Sequence, residues 1–208
     1  MEPDDVSLVL ARHFLGAFAP DELPRIEAGR PEGHLNVIWF RSPKRDDVSV
    51  MMTVGMSAVL MKAPDPIPDR RAEICLLLPA KWGVGPGLLE SGKKLDSRDW
   101  PIAAIFGAAR LPLEASQAFG PGDVIVLDDD LKRESGFAAL LVLPAVSLPE
   151  DACELKLDGV VFSLWTLVPI FEEELEYKER LGSAELIELF AKGGVTDVVA
   201  PNRKNQCK

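Results

Sequence analysis

The chain has 208 residues, of which 47% are apolar, and its formal charge at pH 7 is −10. This length and apolar content are sufficient for one hydrophobic core, so one main domain is expected. The acidic charge has the wrong sign for neutralising phosphates, which disfavours direct nucleic-acid binding and suits a basic protein partner.

The start of the chain has no feature typical of export or membrane insertion. Glu2, Asp4 and Asp5 stand where a signal peptide would carry positive charge. No apolar run approaches the roughly 20 residues that a membrane-spanning helix needs. The three cysteines are widely spaced, which predicts free thiols rather than a disulfide framework or a zinc site. We therefore expect a cytoplasmic protein without a cofactor.

The first half of the chain predicts a helix followed by strands. Apolar residues recur at helical spacing over residues 4–18, whereas 20–34 is rich in proline and glycine and predicts a loop. Alternating or continuous apolar runs then predict strands at residues 35–40, 48–54 and 72–79. The last run is apolar at successive positions, so we expect that strand in the centre of the sheet.

The second half is organised around residues 97–123. A cap at Ser97 or Asp99, with Pro101 in the first turn, predicts a helix that begins near residue 98. Pro112 is expected to break this helix, and Gly-Pro-Gly at 120–122 is expected to turn the chain into a strand. Beyond this turn the sequence predicts strands at 124–127, 137–143 and 159–170, helices that begin near 172 and 184, and a polar, basic tail at 193–208.

Two local patterns partly match known sites for nucleotide binding or nucleophilic catalysis. The spacing at residues 87–93 matches a phosphate-binding loop, but Lys94 stands where a magnesium-binding Ser or Thr is required. Ser57 lacks the Gly-x-Ser-x-Gly context of a nucleophile, and His13 and His34 lie on unrelated predicted elements. We therefore predict no catalytic residue and no metal site.

An acidic run supports one alternative function. Asp128, Asp129 and Asp130 follow a predicted strand and, together with Glu73, could hold a hard cation for a metal-assisted hydrolase. Consecutive strand residues point to opposite faces, so a solvated acidic turn is the preferred interpretation. Arg71 and Glu73 are interpreted as members of an ion pair at a strand end.

Four groups of residues follow one another in an order that resembles the suppressor-of-fused domain family. They are Thr53-Val-Gly-Met-Ser57; Arg71-Ala-Glu-Ile74 with Leu78-Pro79 and Trp82; Trp100-Pro-Ile with Ala109-Arg110 and Gly120-x-Gly122-Asp123; and Pro169-Ile170 before an acidic helix and Gly182. The resemblance covers residues 30–192. It implies an α/β fold of the α+β type, with a mixed, largely antiparallel sheet flanked by helices. Residues 1–29 would be a helix and loop packed on this domain, and 193–208 a flexible tail.

The resemblance also implies a binding role rather than a catalytic one. In animal members this domain is followed by a second one and clasps an extended peptide of Hedgehog-pathway transcription factors. A chain of this length is similar to the stand-alone bacterial form, for which a role as an immunity protein against secreted toxins is proposed. A basic toxin domain is therefore the partner that we expect, and the oligomeric state stays open.

Two partner contacts of the family carry over to this sequence. The family's aromatic residue after Ala-Arg corresponds to Leu111, which departs from the pattern, and the aspartate after the glycine turn is retained as Asp123. We therefore predict Asp123 and Leu111 as partner-binding residues.

Overall fold

The computed structural model describes residues 13, 16, 25–28, 35–42, 45–61, 71–82, 97–115, 118–149, 153–157 and 160–208. The described strands are β1 (Arg25–Ala28), β2 (Asn36–Arg41), β3 (Val48–Val54), β4 (Arg71–Pro79), β5 (Val124–Val126), β6 (Ala139–Pro144), β7 (Glu154–Leu157) and β8 (Val160–Ile170). The described helices are a 3₁₀ helix (Met56–Ala58), α1 (Trp100–Ala115), α2 (Asp129–Ser135), α3 (Glu172–Leu181) and α4 (Ser183–Gly193).

The strands form one mixed sheet of eight strands in the order β1-β2-β3-β4-β8-β6-β5, with β7 paired to β8. Every pair is antiparallel except β4 and β8, which run parallel. The expected fold class, a mixed and largely antiparallel sheet flanked by helices, is therefore confirmed.

β4 lies in the interior of the sheet between β3 and β8, as its continuous apolar sequence predicted. Ile74, Leu76 and Leu78 point to the face that packs against α1, whereas Cys75 and Leu77 point to the opposite face. Both faces are covered, which is why no polar residue alternates along this part of the strand. The strands on the far side of β8 direct one face toward α1, through Ile125, Leu140 and Val142, and the other toward α3 and α4.

The helix α1 continues through Pro112, so the predicted break there is wrong. Proline lacks the N–H group that would bond to the carbonyl of Ala108, and this costs about 3 kcal/mol inside a helix. The apolar face of α1 is nevertheless buried along its length, from Trp100 and Ile105 to Pro112 itself. Tertiary packing therefore outweighs the local propensity.

Three short elements of the structure lie where the sequence predicts loop or turn. β1 lies in the expected loop at 20–34, and β7 lies in the expected connection before β8. The expected acidic turn is the start of α2, where the Asp128 carboxylate accepts a hydrogen bond from the N–H of Leu131 at 2.8 Å. An aspartate cap followed by further acidic residues in the first turn is typical of a helix start.

Some predictions fall on residues outside the described ranges. Of the predicted helix at 4–18, His13 and Gly16 are described and are helical. The phosphate-loop pattern at 87–93 and His34 lie outside the described residues. No described helix combines the length and the apolar composition that crossing a bilayer requires.

For residues 193–208 we expected a flexible tail, and the structure describes contacts of this segment with the sheet and with α3. Leu77 of β4 forms a parallel bridge with Val198, and the N–H of Val199 donates to the Leu77 carbonyl at 2.7 Å. The basic residues that suggested a solvated tail are partly used in internal contacts, of which the pairing of Arg203 with buried Glu174 is the main one. Their polarity alone did not reveal these partners.

Candidate protein-binding surface

The carboxylate of Glu73 is buried in β4 and accepts four hydrogen bonds. The donors are the hydroxyl groups of Thr53 and Ser57, both at 2.6 Å, and the backbone N–H groups of Gly55 at 2.9 Å and Ser57 at 3.1 Å. Burial raises the pKa of Glu73, and these hydrogen bonds act in the opposite direction. The carboxylate therefore fixes the turn that follows β3.

Arg71 binds the same turn from outside. Its Nη1 atom donates to the carbonyl oxygens of Ser57 at 2.7 Å and Ala58 at 2.6 Å. We predicted an ion pair at a strand end for Arg71 and Glu73, whereas the structure directs both side chains to the residues around 55–58. Ser57 and Glu73 are thus hydrogen-bonded partners that stabilise this turn.

The acidic run after β5 is also used locally. Asp128 caps α2, and the exposed Asp130 pairs with Arg133 at 2.6 Å. Within the ranges that the structure describes, no group of three or more His, Cys, Asp or Glu side chains is placed to hold a metal ion. Both carboxylate oxygens of Glu73 accept hydrogen bonds from the end of β3 and the turn after it.

Residues 120–123 form a tight turn that leads into β5. The N–H of Asp123 donates to the Gly120 carbonyl at 3.0 Å, and Gly122 has a φ of +95°. A positive φ at the third position is typical of a type II turn and favours glycine. The N–H of Gly122 donates to the Val142 carbonyl at 2.8 Å while the N–H of Val142 donates to the Asp123 carbonyl at 2.9 Å, so two residues face one in a β-bulge.

Asp123 is exposed and stabilises this turn. One carboxylate oxygen accepts a hydrogen bond from the N–H of Gly120 at 2.8 Å. The second oxygen has no partner among the contacts of the described residues. Asp123 therefore combines a local structural role with a negative charge at the surface.

β5 is the last strand of the sheet, and within the described part of the chain it pairs with β6 alone. In an antiparallel pair, successive residues direct their backbone groups alternately toward and away from the partner strand. Asp123 and Leu127 bond to β6, so Val124 and Val126 direct their N–H and C=O groups to the free edge. The Val126 side chain is 60% exposed. Such an edge can accept a further strand from another chain.

The start of α4 is fixed against the turn that begins this edge. The Ser183 hydroxyl donates to the Gly122 carbonyl at 2.6 Å. Ile187 lies one helical turn after Ser183 on the same side of α4 and is 42% exposed. We call Asp123, Val124, Val126 and Ile187 the β5 edge surface.

Leu111, the other predicted partner-binding residue, lies on α1 rather than on the β5 edge surface. Its side chain is half-buried and packs against the core between α1 and the sheet. Sequence reasoning predicted Asp123 but did not identify the outward backbone groups of Val124 and Val126, which no described strand pairs. No sequence signal marks β5 as the last strand, because that position depends on how distant strands pair.

Most residues of the four sequence groups hold the fold together. The indole N–H of Trp82 donates to the Arg98 carbonyl at 2.8 Å, and its ring lies edge-on to Trp100 at 6.2 Å. Trp100 in turn contacts Phe137 at 6.0 Å. These contacts give the residues a role in packing the fold, and none of them identifies a binding site.

Comparison with solved structures reveals the same fold in three proteins. A SUFU homolog from Neisseria gonorrhoeae FA 1090 is 16% identical, with a TM-score of 0.64, and the match covers 99% of this chain and 97% of that one. A structure of the Sufu–Fu complex gives 15% identity, a TM-score of 0.67, and coverage of 98% and 92%. Drosophila Suppressor of Fused gives 16% identity and a TM-score of 0.55 over 81% of this chain and 42% of that one.

Comparison of the sequence with known families identifies the family of this chain. No curated protein sequence matches the chain. The family model for Suppressor of fused protein (SUFU) matches residues 31–204, which is most of the chain. The protein therefore belongs to the SUFU family.

Proposed function

We propose that this protein is a non-enzymatic protein-binding module that takes an extended segment of a partner protein on the β5 edge surface. The observation that carries this proposal is the edge of β5 that no other described strand pairs, with the outward backbone groups of Val124 and Val126 beside an exposed apolar side chain. The SUFU-type structure solved as the Sufu–Fu complex supports a binding role for this fold.

The charge around the edge indicates the kind of segment that fits. Asp123 precedes β5, and the exposed residues Asp128, Asp129 and Asp130 follow it. An added strand with an apolar centre and basic ends would match Val126 and the carboxylates on either side. The net charge of −10 would also accelerate the approach of a basic partner.

We further propose that the module acts as an immunity-type protein, which neutralises a basic toxin domain or sequesters another basic partner. The acidic charge and the family membership support this proposal. Capture of the tagged protein from extracts of its native cells, followed by mass spectrometry, would identify the partner. Recovery of one stoichiometric basic protein is the expected result.

Reversing the charge of Asp123 should weaken this complex. We expect Asp123→Lys to lower the affinity by at least about tenfold, because the variant repels a basic segment at the start of β5. Isothermal titration calorimetry with the captured partner measures the change. Thermal unfolding of each variant separately reports damage to the turn.

Two further variants make this test specific. Asp123→Asn keeps an oxygen that can accept the Gly120 hydrogen bond, so its loss of affinity measures the charge alone. Leu111→Ala probes the second predicted contact without placing a charge in the core. Equal affinities for Asp123→Lys and the unchanged protein would remove Asp123 from the binding surface.

A further inference from the structure

The C-terminal residues 194–208 lie on the domain much as a bound peptide lies on its receptor. The parallel pairing of β8 with β4 ends at Cys75 and Thr166. Beyond this point the tail takes the place beside β4, through the bridge between Leu77 and Val198. One residue before Val198, the buried carboxylate of Asp197 accepts a hydrogen bond from the N–H of Ser147 at 2.9 Å.

The anchor of this segment is the guanidinium group of Arg203, whose side chain is only 10% exposed. Its Nη1 atom donates to one oxygen of Glu174 at 2.6 Å, and Nη2 donates to the other oxygen and to the Pro169 carbonyl at 2.8 Å. Glu174 is fully buried at the start of α3. This two-point pairing of a planar guanidinium with a carboxylate is specific to arginine.

Aromatic rings complete the pocket around the guanidinium group. The Arg203 Cζ atom lies 4.6 Å from the ring centre of Phe171, 5.2 Å from that of Phe190 and 5.6 Å from that of Phe137. Contacts between cations and aromatic rings strengthen when they are shielded from water. We call Glu174, Pro169 and these three phenylalanines the arginine pocket.

The residues after Arg203 extend the contact along α3. The N–H of Gln206 donates to Glu174 at 2.9 Å, and Asn205 and Lys208 bind Glu173 at 2.6 Å and 2.8 Å. The hydrogen bond from Lys208, with the other contacts, lowers the pKa of Glu173. A basic segment thus lies on the acidic start of a helix, where the helix dipole also favours negative side chains.

The tail is joined to α4 by two glycines. Gly194 ends the helix with a φ of +68°, and a Cβ atom on Gly193 would lie 1.9 Å from the side-chain oxygen of Gln206. Apart from this close approach and the three phenylalanines of the arginine pocket, the anchoring partners of the tail belong to β4, β8, α3 and the loop after β6. The surface that the tail contacts is therefore built mainly by elements other than α4, the helix to which the tail is joined.

We propose that the arginine pocket and the adjoining start of α3 form a binding site for arginine-containing basic peptides, which the chain's own residues 194–208 occupy. The inference builds on the proposed protein-binding function and names an arginine-bearing basic segment as a ligand class. It concerns a site separate from the β5 edge surface. A ligand supplied by another chain binds by displacing the tail, so the tail lowers its apparent affinity.

The test uses a fluorescent peptide of residues 195–208 and the full-length protein. Fluorescence anisotropy should show that the peptide binds the Arg203→Ala variant at least about tenfold more tightly than the unchanged protein, because the pocket of the variant is vacant. A peptide carrying Arg203→Lys should bind the variant at least about tenfold more weakly than the arginine peptide. Lysine lacks the planar guanidinium group that donates two hydrogen bonds to one carboxylate.

A second measurement, thermal unfolding with added peptide, applies if the Arg203→Ala variant does not fold without the peptide. The arginine peptide should then restore a cooperative thermal transition to the variant, because a ligand that binds the folded state stabilises it. The proposal is overturned if the peptide gives neither binding nor recovery, or if it binds the variant and the unchanged protein equally. Because this test uses the chain's own peptide, its result is independent of whether Asp123 contributes to partner affinity.

Discussion

Glu73→Leu should be among the most destabilising single substitutions in this protein. The change leaves two buried hydroxyl groups and two buried N–H groups without their acceptor. Each unsatisfied buried donor costs about 1–3 kcal/mol. We expect a loss of at least about 4 kcal/mol in the free energy of unfolding, allowing for partial relaxation. Urea denaturation followed by circular dichroism measures this quantity.

Two comparisons isolate the role of the Glu73 carboxylate. Glu73→Gln retains one acceptor oxygen, and the hydroxyl of Thr53 can turn toward the Ile74 carbonyl, which lies at 3.3 Å, so a smaller loss is expected. Glu176→Leu makes the same change at an exposed position of α3 and should alter stability by less than about 0.5 kcal/mol. A similar small effect for Glu73→Leu would contradict the structural role of this carboxylate.

Arg203→Ala should lower the free energy of unfolding by about 3–5 kcal/mol, because it leaves the buried carboxylate of Glu174 without its counter-charge. The double variant with Glu174→Leu should recover part of this loss, since the unpaired charge is then absent as well. Chemical denaturation of the unchanged protein, the two single variants and the double variant measures the coupling between the two residues.

The neighbouring Lys204 provides a matched control for Arg203→Ala. Lys204→Ala removes the same charge from an exposed side chain one residue further on, and should change stability by less than about 0.5 kcal/mol. If both alanine variants were equally stable, residues 194–208 would be a loose tail, as their composition suggested.

The sequence predicted the elements whose pattern reflects burial over many residues. The continuous apolar run of β4 and the acidic start of α3 were found because local chemistry and final environment agree there. Pro112 was misread because packing of α1 overrides its local effect. β1 and β7 have only four residues each, which is too few for a periodic pattern to stand out.

The candidate site was predictable in part. Asp123 could be singled out because a turn signal precedes it, and the resemblance to the family added its role as a prediction. The free edge of β5 could not be derived, since it depends on the position of β5 at the end of the sheet order. The pairing of Glu174 with Arg203 joins residues 29 positions apart, and neither residue stands in a pattern that indicates the other.

The affinity of a Val126→Pro variant for the captured partner tests strand addition at β5 most directly. Proline at this position removes an N–H group that points to the free edge while leaving the bonds to β6 intact, and edge strands tolerate proline. Val126→Thr, which keeps that N–H group, is the control. We predict at least about tenfold weaker binding for Val126→Pro and little change for Val126→Thr, with both variants folded. Unchanged binding of a folded Val126→Pro variant would contradict strand addition at β5.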